Sequence, residues 1–95
     1  MSFEIIVDRK LCLVNAATGD KTDITVEIGR PRWVEPEIKA ACLVFIRGIM
    51  KSPLDIYGSD LWSAMECALE FAKTELLATK DQGELQWPGG EAYFD

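Results

Sequence analysis

The sequence predicts an α+β protein, with an antiparallel four-stranded β-meander packed on one long C-terminal α-helix and followed by an aromatic tail. Strand-like segments occupy residues 3–57, and helical periodicity begins near residue 60. The aromatic residues Trp87, Tyr93 and Phe94 come after the helix. Because the connections between the strand-like segments are short, consecutive strands are expected to pair, and the helix to cover one face of their sheet.

The first predicted strand runs from Phe3 to Val14 and is rich in β-branched and aliphatic residues. One alternating face is apolar except at Arg9, which predicts either a bulge between Asp8 and Lys10 or a place for Arg9 at the sheet margin. The apolar members of that face are Phe3, Ile5, Val7, Leu11 and Leu13. The turn residues that follow include Gly19, which can supply the positive φ of a hairpin loop.

The next segments predict three more strands. Residues 22–28 alternate apolar and polar side chains, which is typical of a half-buried antiparallel strand. Pro31 and Pro36 lack the N–H that a sheet ladder needs, so residues 29–36 are predicted to be a connection or a ragged edge. Residues 40–46 are continuously apolar and predict a central strand, and residues 54–57 a short fourth one.

The helix is predicted at about residues 60–80, capped by Ser59 or Asp60 and ended by Gly83. Its apolar positions recur at helical spacing. They are Leu61, Met65, Ala68, Leu69, Ala72 and Leu76. The tail, residues 83–95, is expected to pack against other apolar surface because it carries three aromatic residues. The whole chain, residues 1–95, is predicted to form one domain, since this length suits a single core.

Composition limits the classes of partner that this protein can bind. Ten Lys and Arg residues against 16 Asp and Glu give a net charge of −6, which repels nucleic acid and anionic lipid and favours a basic protein partner. No apolar run reaches the roughly 18 residues of a membrane span, and the start of the chain lacks a signal-peptide pattern. We therefore predict a cytoplasmic protein that binds neither nucleic acid nor membranes.

Residue types also narrow the chemistry. The chain has no histidine, which excludes Ser-His-Asp, Cys-His and His-zinc designs. Cys12, Cys42 and Cys67 are odd in number and widely spaced, so they predict buried free thiols rather than disulfides or a zinc ribbon. We predict no catalytic, cofactor-binding or metal-binding residue, and no cofactor.

Two pairs of carboxylates are candidates for an acid and a base or for ligands of a hard cation: Asp20 with Asp23, and Glu66 with Glu70. Neither pair has the spacing of a calcium loop. Turn geometry for the aspartates and solvation for the glutamates are the favoured interpretations.

The stretch Arg30-Pro31-Arg32-Trp33 is the strongest candidate for partner binding, because two guanidinium groups beside an indole can anchor a partner. In the alternative interpretation, which we favour, Trp33 closes one end of the core and the arginines pair with nearby acids. The surface residues Phe71 and Leu77 are candidates for a contact with a second copy of the chain.

That second copy is suggested by the central strand, where Ala41, Leu43 and Phe45 alternate with other apolar residues. One helix covers only one face of a meander, so a second cover is expected. Either the aromatic tail supplies it within the chain, or a second copy does, with Leu77 and Phe71 widening the contact. We favour the homodimer.

Several short motifs carry a resemblance to a known family. They are Gly29-x-Pro31, Cys42-x-Val44-x-Ile46-x-Gly48, Tyr57-Gly58-x-Asp60, Ala64-Met65-x-x-Ala68-Leu69 and Leu85-x-Trp87. Together they resemble a small uncharacterised bacterial domain family. The resemblance implies a shared fold and a bacterial protein, and it brings no activity with it.

Three function classes follow, in order of preference. The first is a non-enzymatic protein-binding module, either an adaptor or an immunity-type protein that neutralises a basic toxin. The second is a small-molecule binder or an enzyme that uses carboxylates. The third is a self-associating structural protein.

Overall fold

The fold is known from a computed structural model that describes residues 4–94, so Phe3 and Asp95 lie outside the described residues. The strands and helices follow one another along the chain with short connections. They are β1 (Ile5–Asn15), β2 (Lys21–Gly29), β3 (Arg32–Glu35), β4 (Lys39–Arg47), β5 (Leu54–Gly58), α1 (Leu61–Ala78), a 3₁₀ turn (Thr79–Asp81) and β6 (Gly83–Gln86).

The strands form one antiparallel sheet, which confirms the α+β class with a C-terminal helix and an aromatic tail. The four-stranded meander is not exact, because β3 and β6 add two strands. β2 pairs with the second half of β4 and β3 with the first half of the same edge. β2 and β3 lie end to end along this edge and are separated by Arg30 and Pro31, and Pro31 offers no N–H to the ladder. β6 pairs with the far side of β1, so the sheet runs β5-β4-β2/β3-β1-β6.

The predicted bulge in β1 is displaced. The register is regular from Val7 to Val14 and shifts between Ile5 and Val7, so the irregularity lies before Asp8. Arg9 instead lies at the sheet margin, which was the second interpretation. β6 pairs only with the last residues of β1, from Cys12 onward, and Arg9 therefore lies where β1 is the outermost strand of the described sheet.

The helix begins at a side-chain cap. Asp60 Oδ1 accepts a hydrogen bond of 2.7 Å from the backbone N–H of Ser63, which satisfies one of the unpaired donors of the first turn. The buried side of α1 is a stripe of small residues ending in a leucine: Ala64, Ala68, Ala72 and Leu76. Two predicted core positions, Leu61 and Leu69, are exposed instead. The helix lies so close to the sheet that larger side chains remain at the margins of the contact.

The core lies between α1 and the sheet. Its largest fully buried side chains are Ile24, Ile28, Ile46 and Val44. Each such aliphatic side chain contributes roughly 1.5–3 kcal/mol when it is removed from water. Alternation places these four residues on the face of the sheet that α1 covers.

The opposite face is covered by charged side chains rather than by a second layer. The guanidinium carbon of Arg47 lies 4.6 Å from the ring centroid of Phe45, and Arg47 Nε donates to Glu27 at 3.0 Å. Ala41 of β4 is fully buried. Arg32 of β3 and Asp55 of β5 form an ion pair that crosses β4. These side chains leave Leu43 and Phe45 half-buried within one chain, and Tyr57 on the same face is exposed.

The tail does not cover that second face, and the expectation that it could do so is wrong. Leu85 pairs with Leu13, which belongs to the core on the helix side, and the chain then folds back as a hairpin. Trp87 N–H donates to Glu91 and Tyr93 N–H to Leu85, both at 2.8 Å. Because β6 extends the sheet beside β1, its tail reaches the helix side and packs next to α1.

No helix among residues 4–94 is both long enough and apolar enough to cross a bilayer.

The close approach of α1 predicts a strong effect of Gly58→Ala. A Cβ at this position would contact the backbone of Ser63 (2.6 Å) and of Ala64, neither of which can rotate away. We expect the free energy of unfolding to fall by about 1–3 kcal/mol in urea denaturation. The control is Gly89→Ala, whose Cβ would meet only the flexible side chain of Glu91. It should change stability by less than about 0.5 kcal/mol, and equal losses in the two variants would contradict the close contact.

The Asp60 cap predicts a dependence of stability on pH. The hydrogen bond from the Ser63 backbone lowers the pKa of the Asp60 carboxyl from its usual value. Stabilisation by the ionised cap is therefore complete above the carboxyl pKa of the unfolded chain and is lost as the pH falls through the lower folded pKa. Asp60→Asn keeps an acceptor that does not titrate. Urea denaturation at several acidic pH values should show a smaller acid-induced loss in this variant, and identical pH profiles would contradict the role of the cap.

Candidate functional site

An open groove lies beside α1, where the helix leaves the sheet partly uncovered. Val26 and Ile28 of β2 form its floor, and Val7 of β1 lies next to Ile28 on the same face. Leu69 and Leu76 of α1 form the facing wall. The groove has a volume of about 360 Å³.

The lining of the groove is mainly apolar and remains accessible from outside. The floor residues are buried, but Val7 and Leu69 on the two rims are 52% and 47% exposed. Such side chains lose unfavourable contact with water when another molecule covers them. The groove can therefore bind apolar groups without a large rearrangement of the fold.

Charges on the rims balance one another. β1 contributes Asp8 and Arg9, and α1 contributes Glu70 and Lys73, whose carboxylate and ammonium groups are 3.7 Å apart. Each rim thus carries one acid and one base. The local charge of the rims is therefore close to neutral.

The aromatic tail contacts Arg9 at one end of the groove. Arg9 Nη1 donates to Tyr93 Oη at 2.7 Å, and its guanidinium carbon lies 5.2 Å from the Trp87 ring centroid. The rings of Trp87 and Tyr93 are themselves 5.0 Å apart. A guanidinium over aromatic rings is attracted by their negative faces. Arg9 therefore holds the tail against β1, and Tyr93 in turn lines the groove.

Sequence reasoning did not find this groove. Two features of the sequence pointed to parts of it. One is Arg9 in an otherwise apolar alternation, and the other is the aromatic tail, which was expected to pack against other apolar surface. Only the tertiary structure brings these two segments together.

The stretch Arg30-Pro31-Arg32-Trp33 does not form one surface. Arg30 makes a bidentate pair with Glu4, with Nε–Oε2 at 2.6 Å, which raises the pKa of Arg30 and lowers that of Glu4. Arg32 donates to Asp55 at 2.7 Å, and this hydrogen bond raises its pKa. Both arginines are thus paired with acids. Trp33 is 40% exposed and lies on the opposite face of β3 from Arg32, since successive strand residues alternate.

The other two predicted contact residues are also separate. Phe71 is half-buried against the core, whereas Leu77 is exposed. Six residues along a helix place them about 120° apart around its axis. A single flat surface therefore cannot use both as the sequence interpretation proposed.

The thiols differ in environment. Cys42 is fully buried, its Sγ donates to the Gly29 carbonyl at 3.3 Å, and burial raises its pKa. Cys12 is half-buried, and Cys67 on α1 is exposed, against the expectation of buried thiols. It is exposed because the buried side of α1 passes through its neighbour Ala68. Within residues 4–94, no three Cys, Asp or Glu side chains lie close enough to hold a metal ion.

Comparisons with known protein families, with curated proteins and with solved structures find no match to this chain. The resemblance to a bacterial domain family stays a prediction.

These environments predict an order of thiol reactivity in the folded protein. Cys67 should react first with Ellman's reagent at neutral pH, Cys12 more slowly, and Cys42 only as the protein unfolds, because reaction needs an accessible thiolate. The measurement is the absorbance time course with and without urea. Cys67→Ser should remove the fast phase alone, and fast reaction of Cys42 in the folded state would contradict its burial.

Proposed function

We propose that this chain is a non-enzymatic protein-binding module, and that the groove beside α1 receives apolar side chains of a partner protein. The observation that carries the proposal is the pair of half-exposed rims, Val7 and Leu69, above an apolar floor. Grooves between a helix and a sheet accept an amphipathic segment in this way, with apolar anchors inserted between the walls.

The apolar surface continues beyond the groove. Trp62 is 75% exposed and precedes Leu69 by seven residues, so both lie on the same side of α1. A small ligand in the groove would leave Trp62 in water. A protein segment lying along the helix covers both residues, and exposed tryptophan is among the side chains most enriched at binding hot spots.

Charge favours a basic partner. The net charge of −6 attracts such a protein over long distances and accelerates the encounter. At short range the balanced rims of the groove neither attract nor repel strongly. Long-range attraction with apolar anchoring is what an adaptor, or an immunity-type protein that neutralises a basic toxin, requires.

A second candidate function is the binding of a small apolar acid in the same groove, favoured by the guanidinium of Arg9 at its end. This group already donates to Tyr93 and lies beside two aromatic rings. An incoming carboxylate would have to share those contacts. The protein-binding proposal needs no such change and is preferred.

Two leucines of equal exposure provide a matched test. Leu69 and Leu77 are both 47% exposed on α1, but only Leu69 lines the groove. The probe is a displayed library of random peptides, selected on the wild-type protein and measured by fluorescence anisotropy. We expect enriched peptides with apolar anchors and basic residues. Leu69→Glu should weaken their binding at least about tenfold, because it places a carboxylate on an apolar contact.

Leu77→Glu adds the same charge outside the groove and should leave affinity within about twofold. Circular dichroism checks that both variants are folded. Equal weakening by the two substitutions, or no enrichment of peptides at all, would count against a docking groove. Enriched acidic peptides that compete with small aromatic acids would favour the second candidate.

A further inference from the structure

The floor strand of the groove has its backbone hydrogen-bonding groups already paired. Val26 and Ile28 of β2 pair with β1 on one edge and with β4 on the other. The facing wall is α1, whose backbone bonds are made within the helix. A segment seated in the groove therefore meets side chains and no strand edge. Pairing with the outer edge of β1 would place an extended segment beyond the rim and away from Leu69.

This restricts the conformation of a bound segment. An extended peptide in the groove would bury its own N–H and C=O groups without partners, which costs free energy. An α-helix satisfies these groups internally. The groove therefore favours a helix over an extended chain.

The uncovered part of the sheet has the width of one helix. α1 packs on β4 and β5, and only its edge reaches β2. The next two strands on the helix side, β2 and β1, together span about 10 Å, and packed helices lie about 8–10 Å apart. A second helix beside α1 thus fits over these two strands.

The apolar surface along this side of α1 is long enough for several helical turns. Trp62 precedes Leu76 by fourteen residues. The two positions are about 21 Å apart along the helix axis, because each residue adds about 1.5 Å. Leu69 lies midway between them, and both Trp62 and Leu69 are exposed.

Trp33 extends the same surface at the end where α1 begins. It pairs with Ala40, whose side chain lies in the core on the helix side, so Trp33 faces that side too. On its other edge Ala40 pairs with Gly58, which lies against the backbone of Ala64 near the start of α1. The exposed rings of Trp33 and Trp62 therefore lie at the same end of the groove.

We propose that the partner contributes an amphipathic α-helix of about four turns, which lies beside α1 over β1 and β2 and ends between Trp33 and Trp62. This inference rests on the proposed function and adds the form of the partner segment. Apolar residues recur at three- and four-residue spacing on one side of the partner helix and contact Val7, Ile28 and Leu69.

Charge beside the groove indicates a basic residue on the partner helix. Glu66 follows Trp62 by four residues and precedes Leu69 by three, so it borders both side chains on the helix surface. Glu66 is exposed. A Lys or Arg on the adjacent side of the partner helix can pair with it at the margin of the contact.

Two displayed libraries of peptides of about sixteen residues provide the probe. One places random residues along one side of an alanine-rich helical sequence. The other carries the same random residues with a proline at every fourth position, which prevents a helix. Both are selected on the wild-type protein, and affinities are measured by fluorescence anisotropy. We expect enrichment from the helical library alone.

The variants place the bound helix on the surface. Leu69→Glu and Trp62→Ala should each weaken the enriched peptides at least about tenfold, and Trp33→Ala at least about threefold, because each removes an apolar contact. Leu77→Glu, outside the groove, should leave affinity within about twofold. Circular dichroism establishes that each variant is folded.

The outcomes separate this inference from the proposed function. Enrichment from the proline library as strong as from the helical one, with binding lost in Leu69→Glu, would overturn the helix and leave the groove as a docking site. Helical peptides that survive both Trp62→Ala and Trp33→Ala would overturn the placement along α1. If neither library yields a peptide that is sensitive to Leu69→Glu, the proposed function fails together with this inference.

Discussion

The close contact between the alanine stripe of α1 and the strands β4 and β5 determines which strands the helix covers and where the groove lies. Ala64 packs so near Gly58 that no side chain fits between them. A helix is about 10–12 Å wide and strands lie about 4.8 Å apart, so one helix seated this closely covers roughly two strands. The helix-side surface of β1 and β2 therefore has to be covered by something else, and the groove lies where that cover is incomplete.

The short segment that follows α1 covers part of this surface. β6 adds to β1 and turns Trp87 and Tyr93 back toward the helix side, where Arg9 binds both. The Arg9 guanidinium stays at the surface, where it donates to Tyr93 and lies against the faces of both rings. The groove is thus the gap between two separate covers: a helix packed through its alanines, and a tail held by the pairing of β6 with β1 and contacted by Arg9.

Local patterns predicted the parts of this fold that depend on neighbours in sequence. The alternation of Ile24, Val26 and Ile28, the apolar run of β4 and the Asp60 cap are all present in the structure. The groove could not be predicted, since Val7 and Leu69 are joined only by tertiary packing. Helical periodicity likewise predicted Leu69 as core, because periodicity cannot reveal that small residues bring the helix close enough to leave a leucine outside.

The two faces of the sheet differ in the side chains that cover them. On the outer face the ion pairs Arg47–Glu27 and Arg32–Asp55 cover part of the apolar surface, and Tyr57 remains 49% exposed. On the helix side, the exposed side chains of Trp62 and Leu69 lie on one flank of α1. The apolar groove and the ion pairs of the outer face therefore lie on opposite faces of one sheet.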